Sequence, residues 1–172
     1  MLTLLQATSV LLYQQCGDTH SYCTTTQVGS AIVTAAHCME ACGNENVRKH
    51  ELLDLAVLEE GEVSDTDCVD TEVGQSTTAM GWAYNGRIHV IQDGTVTGVR
   101  NTRMAGTEFF KKVVLSSTYA HSGMSGGPLY SDGRVVGMVY GTDLPSNDTA
   151  VLAVSEICEF LRLPEQLNHH TD

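Results

Sequence analysis

Short runs of β-branched and apolar residues, each closed off by Gly, Asn, Asp or Ser, recur along most of this chain. They fall at residues 9–15, 22–28, 31–35, 52–58, 68–73, 77–83, 87–92, 95–100, 109–116, 128–130, 135–140 and 150–154. Branched side chains are stiff at χ1 and pack well on a pleated surface, so such runs favour strands. Asn85-Gly86, Asp93-Gly94 and Asp132-Gly133 supply the positive-φ residues that tight hairpins require. Many short strands at this spacing predict an all-β barrel or sandwich. One segment breaks the pattern. Within residues 155–163, Ile157, Phe160, Leu161 and Leu163 recur near helical spacing, Ser155 is placed to cap and Pro164 to stop. The expectation is two sets of antiparallel strands, 1–75 and 76–172, with a seam at 74–76 and a terminal helix over 155–163.

A hydrophobic fraction of 42% suffices for a core, and 172 residues suit one compact domain or two small ones. The formal charge of −12 argues against nucleic acid as a partner, because phosphate contacts demand clustered Lys and Arg. Between residues 51 and 72 there are nine carboxylates and no Lys or Arg, which reads as a solvated face. Arg87, Arg100, Arg103, Lys111 and Lys112 read as solvated surface too. No run reaches the ~18 apolar residues that span a bilayer. Residues 1–12 are apolar but interrupted and lack a positive leader, so they read as part of the fold rather than as a signal. The six cysteines could pair, or three could join His20 on zinc, but the tight paired spacing of zinc ribbons is absent. No metal or cofactor is expected.

Three clusters carry candidate chemistry. Val33-Thr34-Ala35-Ala36-His37-Cys38 delivers one His at the tip of an apolar strand. Leu52-Leu53-Asp54-Leu55-Ala56-Val57-Leu58 embeds a carboxylate in an apolar run, and a buried carboxylate needs a partner such as an imidazole N–H, a backbone donor or Arg. Gly123-Met124-Ser125-Gly126-Gly127-Pro128 sets a Ser between glycines, where the backbone can turn sharply. The last string also fits the G-x-S-x-G elbow of α/β-hydrolases, but that elbow needs a helix directly after the Ser. Here Pro128 and a strand-like run follow, and the elbow reading fails.

The order His, Asp, Ser, and the wording around each, closely resembles the chymotrypsin family. Met80-Gly81-Trp82 resembles the strand opening its second barrel, and Val136-Gly137-Met138-Val139-Tyr140-Gly141 the strand lining its primary pocket. The resemblance covers nearly the whole chain. It implies two small antiparallel β-barrels and a serine endopeptidase in which Ser125 is nucleophile, His37 base and Asp54 its orienting acid. It further implies an oxyanion hole from the N–H groups of Gly123 and Ser125, and a substrate of extended polypeptide held by Tyr119, Val139, Tyr140, Gly141 and Thr142. A Cys23–Cys38 bridge is implied if the compartment is oxidising.

Where secreted digestive members carry an Asp before the serine to pair with a freshly cut N-terminus, this chain has Met124, so no such activation is expected. The short spacing from His37 to Asp54 resembles compact processing proteases of RNA viruses, whose substrate is their own polyprotein. On that reading the setting is the host-cell cytoplasm; secretion is the alternative. A catalytically silent binding or structural module and a small bacterial or HtrA-like protease are the other readings. Tyr119 stands where trypsin-like members place the Asp that selects basic residues, which points to an apolar or medium-sized pocket.

Overall fold

The computed structural model describes residues 9–43 and 47–164. They form twelve strands and one terminal helix: β1 (Leu11–Cys16), β2 (Thr19–Thr24), β3 (Thr26–Val28), β4 (Ala31–Thr34), β5 (Arg48–Lys49), β6 (Ala56–Glu59), β7 (Ser76–Ala83), β8 (Ile88–Arg103), β9 (Phe110–Ser116), β10 (Pro128–Ser131), β11 (Arg134–Thr142), β12 (Thr149–Ala153) and α1 (Val154–Arg162). The fold is all-β and chymotrypsin-like, as the sequence predicts. In the second half, six strands close into a barrel in the order β10-β11-β12-β9-β8-β7. The first half holds a four-stranded sheet, β3-β4-β6-β5, beside the β1–β2 hairpin.

Side chains pointing inward from alternate positions fill the closed barrel: Ala79, Val96, Val114, Leu129, Val136, Val139 and Val151 are all buried. The first-half core joins Val28, Val33 and Leu55 to Ile157 and Leu161 on the inner face of α1. Each such aliphatic side chain contributes about 1.5–3 kcal/mol when fully buried. Arg48 ties the helix down from β5: it stacks over the Phe160 ring at 4.2 Å, donates to the Phe160 carbonyl at 3.1 Å and pairs with Glu60 through two nitrogens.

Several expected boundaries move, each for a local reason. Asp93-Gly94 makes no turn; β8 runs straight through it, Asp93 accepting from Thr78 Oγ1 across the ladder at 2.8 Å. Gly94 serves close approach instead, since a Cβ there would lie 2.4 Å from Thr118 Oγ1. The run at 22–28 splits at Thr25, whose N–H turns to the Val10 carbonyl, and the chain passes from one sheet to the next. Residues 68–73 form no strand but follow a short 3-10 turn, Asp65–Cys68. Asp54 is not inside a strand, because β6 starts only at Ala56. Ser155 is not the helix cap either: its N–H, inside the first turn, is taken by Asp70 Oδ1 at 3.0 Å. The turns at Asn85-Gly86 and Asp132-Gly133 form with positive φ at all four residues.

The described residues include the disulfides Cys23–Cys38 and Cys68–Cys158. The first is the pair that the resemblance implied. The second had no local signal, and it ties the segment ahead of β7 to α1.

Candidate active site

β4 ends at Thr34 and hands the chain to a 3-10 turn, Ala36–Cys42, whose second residue is His37. Small residues suit this junction: Ala35 is wholly buried, and its carbonyl accepts from Cys38 N–H at 3.0 Å. Asp54 sits on the turn before β6. Leu53 and Leu55 on either side are buried, so the residue between them faces outward. The turn is closed by His50, whose Nδ1 accepts N–H groups from both Leu52 and Leu53 at 3.0 Å, and whose own N–H donates to the Leu55 carbonyl at 2.9 Å.

Asp54 grips His37 twice. Oδ2 lies 2.5 Å from Nδ1, and Oδ1 accepts the His37 backbone N–H at 2.8 Å. The carboxylate therefore fixes both the ring and the backbone that carries it. Its hydrogen bond raises the His37 pKa above the usual 6.5, against the opposing pull of burial. For Asp54, burial pushes upward but is outweighed by the side-chain and backbone bonds from His37, and the net shift is downward. With Nδ1–H donating to a carboxylate, the neutral ring carries its lone pair on Nε2, where it can accept a proton.

Ser125 lies in the loop between β9 and β10. Met124 beside it is fully buried in the core of the closed barrel, which seats the loop from below. Gly123 and Gly126 take φ of +101° and +84°. A Cβ on Gly123 would come 2.4 Å from the Trp82 carbonyl, and one on Gly126 would come 2.2 Å from the Thr24 carbonyl and from Thr34 Oγ1. Glycine is required at both positions by conformation and by space. The Ser125 carbonyl accepts from Thr24 N–H at 2.9 Å and lies 3.8 Å from Cys38 Sγ, which brings the serine beside the residue that follows His37. Among the described residues, the N–H groups of Gly123 and Ser125 donate to no protein acceptor, and no hydrogen bond joins Ser125 Oγ to His37. Such bonds are often long before substrate binds.

The other candidate residues occupy different situations. Val139 is buried to 1% exposure, and its backbone N–H and carbonyl engage Gly127 and Gly126 at 2.8 and 2.7 Å. It holds the serine loop to β11, so its side chain is not open to a substrate. Tyr140 falls at the register shift between Val139 and Gly141 and is half-buried, with Lys111 Nζ 4.8 Å above its ring. Burial raises the Tyr140 pKa. Gly141 faces open space and Thr142 is exposed at the strand end. Tyr119 is 66% exposed and stacks edge-on against His121, which also contacts Tyr84. Residues with no sequence signal for a role here are Thr24, Thr26 and Thr34, all fully buried with their hydroxyls donating to Gly123, Gly126 and Thr24 carbonyls. Cys23, His37 and Cys38 bring potential metal ligands within 4.8 Å of one another, but both sulfurs are committed to the disulfide.

The fold and the wording of the chain agree with comparisons to known proteins. No curated protein sequence matches it. The active form of the Rv3671c protease of M. tuberculosis superposes with a TM-score of 0.73 at 15% identity, over 92% of this chain and 81% of that one. The MamO protease domain of Magnetospirillum magneticum gives 0.72 at 16% identity, over 95% and 100%. A serine endoprotease of Yersinia pestis gives 0.65 at 16%, over 90% of this chain and 62% of its own. These likenesses are to bacterial proteins and carry the fold; none of the three supports a viral resemblance. The model of the trypsin-like peptidase domain matches residues 50–138, just over half of the chain and a span that includes both Asp54 and Ser125. This chain belongs to the trypsin-like peptidase domain family.

Proposed function

We propose that the protein is a serine endopeptidase cleaving extended polypeptide through an acyl-enzyme, with Ser125 as nucleophile, His37 as base and Asp54 as its orienting acid. The observation that carries this reading is the two-point hold of Asp54 on His37, which leaves a lone pair on Nε2 beside a serine loop whose Gly123 and Ser125 N–H groups have no acceptor among the described residues. Ser125 Oγ attacks the scissile carbonyl while His37 Nε2 takes its proton. The oxygen left negative is bound by the two N–H groups, and Asp54 stabilises the imidazolium. Collapse expels the amine, which takes the proton from His37; water, deprotonated by the same ring, then releases the acyl group. On this reading residues 1–75 supply base and acid and 76–172 the nucleophile. The substrate pairs as an added strand along Tyr140, Gly141 and Thr142, and Tyr119 borders the primary pocket.

The buried Met124 supports activity without a cut N-terminus, since packing in the barrel already seats the loop. That fits a compact processing protease. The trimmed spacing of His37 and Asp54 favours a viral polyprotein as substrate; the likeness to HtrA-type protease structures favours an HtrA-like role. Cleavage of flanking sequence within a longer precursor separates the two. A fluorophosphonate probe is expected to label the wild-type protein and neither Ser125→Ala nor His37→Ala. Equal labelling of all three, or none of a folded wild type, sinks the mechanism.

A further inference from the structure

From Gly123 to Gly127 each peptide carbonyl accepts a hydrogen bond from the surrounding protein. The Gly123–Met124 peptide is held at both ends: its carbonyl accepts Thr24 Oγ1 at 2.8 Å and its N–H donates to the His121 carbonyl at 3.1 Å. The Ser125–Gly126 peptide is likewise held, by Thr24 N–H at 2.9 Å and the Val139 carbonyl at 2.7 Å. Between them, the Met124–Ser125 peptide is held by its carbonyl alone, through Gly127 N–H at 3.0 Å. Among the described residues its Ser125 N–H is left over, as is the Gly123 N–H, which belongs to the Ser122–Gly123 unit. On the N-terminal side of Ser125, the Thr24 hydroxyl is the one side chain from the first half that bonds a loop carbonyl, among the described residues. It is fully buried and saturated, accepting from Trp82 N–H at 2.9 Å while donating to Gly123.

We propose that Thr24 is a positioning residue that holds the oxyanion site preformed, its hydroxyl pinning the Gly123 carbonyl so that the Gly123 N–H stays turned toward the substrate. This rests on the reading of Gly123 and Ser125 as oxyanion donors. Glycine at φ +101° resists rotation poorly, so an outside bond must fix the plane. Without the hydroxyl, the Gly123 carbonyl would be a buried unpaired acceptor, a situation costing about 1–3 kcal/mol, relieved by rotating the peptide toward water. The Gly123 N–H lies on the adjoining Ser122–Gly123 unit, hinged to that carbonyl at the Gly123 Cα, and loses the fixed neighbour that sets its direction. The substrate-pairing strand and the His37–Asp54 pair are untouched, so binding and the base survive.

The test is the kinetics of fluorophosphonate labelling, resolved into half-saturating concentration and maximal rate, for wild type, Thr24→Ser and Thr24→Val. Ser131→Ala serves as a control: it loses one hydroxyl-to-carbonyl bond, to Ser76 at 2.8 Å, at the end of β10 away from the loop. A whole oxyanion donor is worth about 10²–10³ in rate, so the valine variant should label about 10- to 100-fold more slowly. Its half-saturating concentration and the pH dependence of labelling should stay unchanged. Serine should restore the rate, and the control should label normally even where it melts as low as the valine variant. Should valine fail to fold, Thr24→Cys fills the same space with a weaker donor and should lose about tenfold. A wild-type rate in the valine or cysteine variant, or an equal loss in serine or the control, overturns the proposal while the parent reading stands. Absence of labelling in folded wild type overturns both.

Discussion

Asp54 works against its own surroundings. Burial alone would raise its pKa, yet two bonds from His37 hold it ionised below the ordinary 3.8, and the same pair lifts His37 above 6.5. The proposed hydrolysis needs neutral His37, so on that mechanism the rate should fall as pH drops through a value above 6.5. Asp54→Asn removes the main cause of that lift and leaves burial. The acid limb of a kcat profile should move to lower pH, while the plateau falls by about 10⁴-fold, as in the triad template. For stability the signs are opposite. The part owed to His37 is full below 6.5 and is lost as pH rises through its folded pKa; the part owed to Asp54 is present above 3.8 and is lost as pH falls through its folded value. The three candidate residues and their glycine frame were legible because the proposed nucleophilic chemistry demands those residue types. The threonines were not: a buried Thr in a strand reads as an ordinary β-former, and only its partner a hundred residues away shows otherwise.

The turn before β6 shows what an element can hide. An apolar run from 52 to 58 reads as one strand, but two backbone N–H groups there prefer the imidazole of His50 to a ladder partner. His50 must be neutral at Nδ1 to accept them, and burial against Phe109 and Phe160 lowers its pKa accordingly. Removing the acceptor in His50→Ala should lower stability by about 1–3 kcal/mol at pH 7.5, read by urea unfolding. The wild type should lose this contribution as pH falls below 6.5 toward the lowered folded pKa, a dependence absent from His50→Ala. His50→Asn, which keeps a short side-chain acceptor, should recover part of the loss. Strands were legible wherever β-branching and a two-residue turn coincided, as at 77–83 and 128–140. They failed where one glycine served close packing, as Gly94 does, because a turn and a close approach both call for the same residue.

Across the whole molecule, the closed barrel and the open first half differ in how much they hold themselves together. The first-half core is completed by α1, the last element in the chain, and the Cys68–Cys158 bridge closes a separation of 90 residues between them. Loop-closure entropy assigns such a bridge roughly 4–5 kcal/mol, an upper figure because denatured chains keep some structure. Cys68→Ser with Cys158→Ser should lower the urea midpoint strongly, and fluorophosphonate labelling should persist below it because neither residue touches the site. Pairing of this kind leaves no trace in local sequence. The all-β plan was legible from the short strand runs; which half leans on which was not.

The threonine bonds from β2 and β3 to the carbonyls of Gly123 and Gly126 have a consequence for inheritance. A gene that exchanged one half for a relative's would still encode two well-packed pieces. Yet a foreign first half without hydroxyls at these two places would present the serine loop with orphaned carbonyls. The halves are therefore not free modules: a viable recombinant must carry a few buried hydroxyls along with its nucleophile, and lineages in which this segment drifts should drift at both ends together.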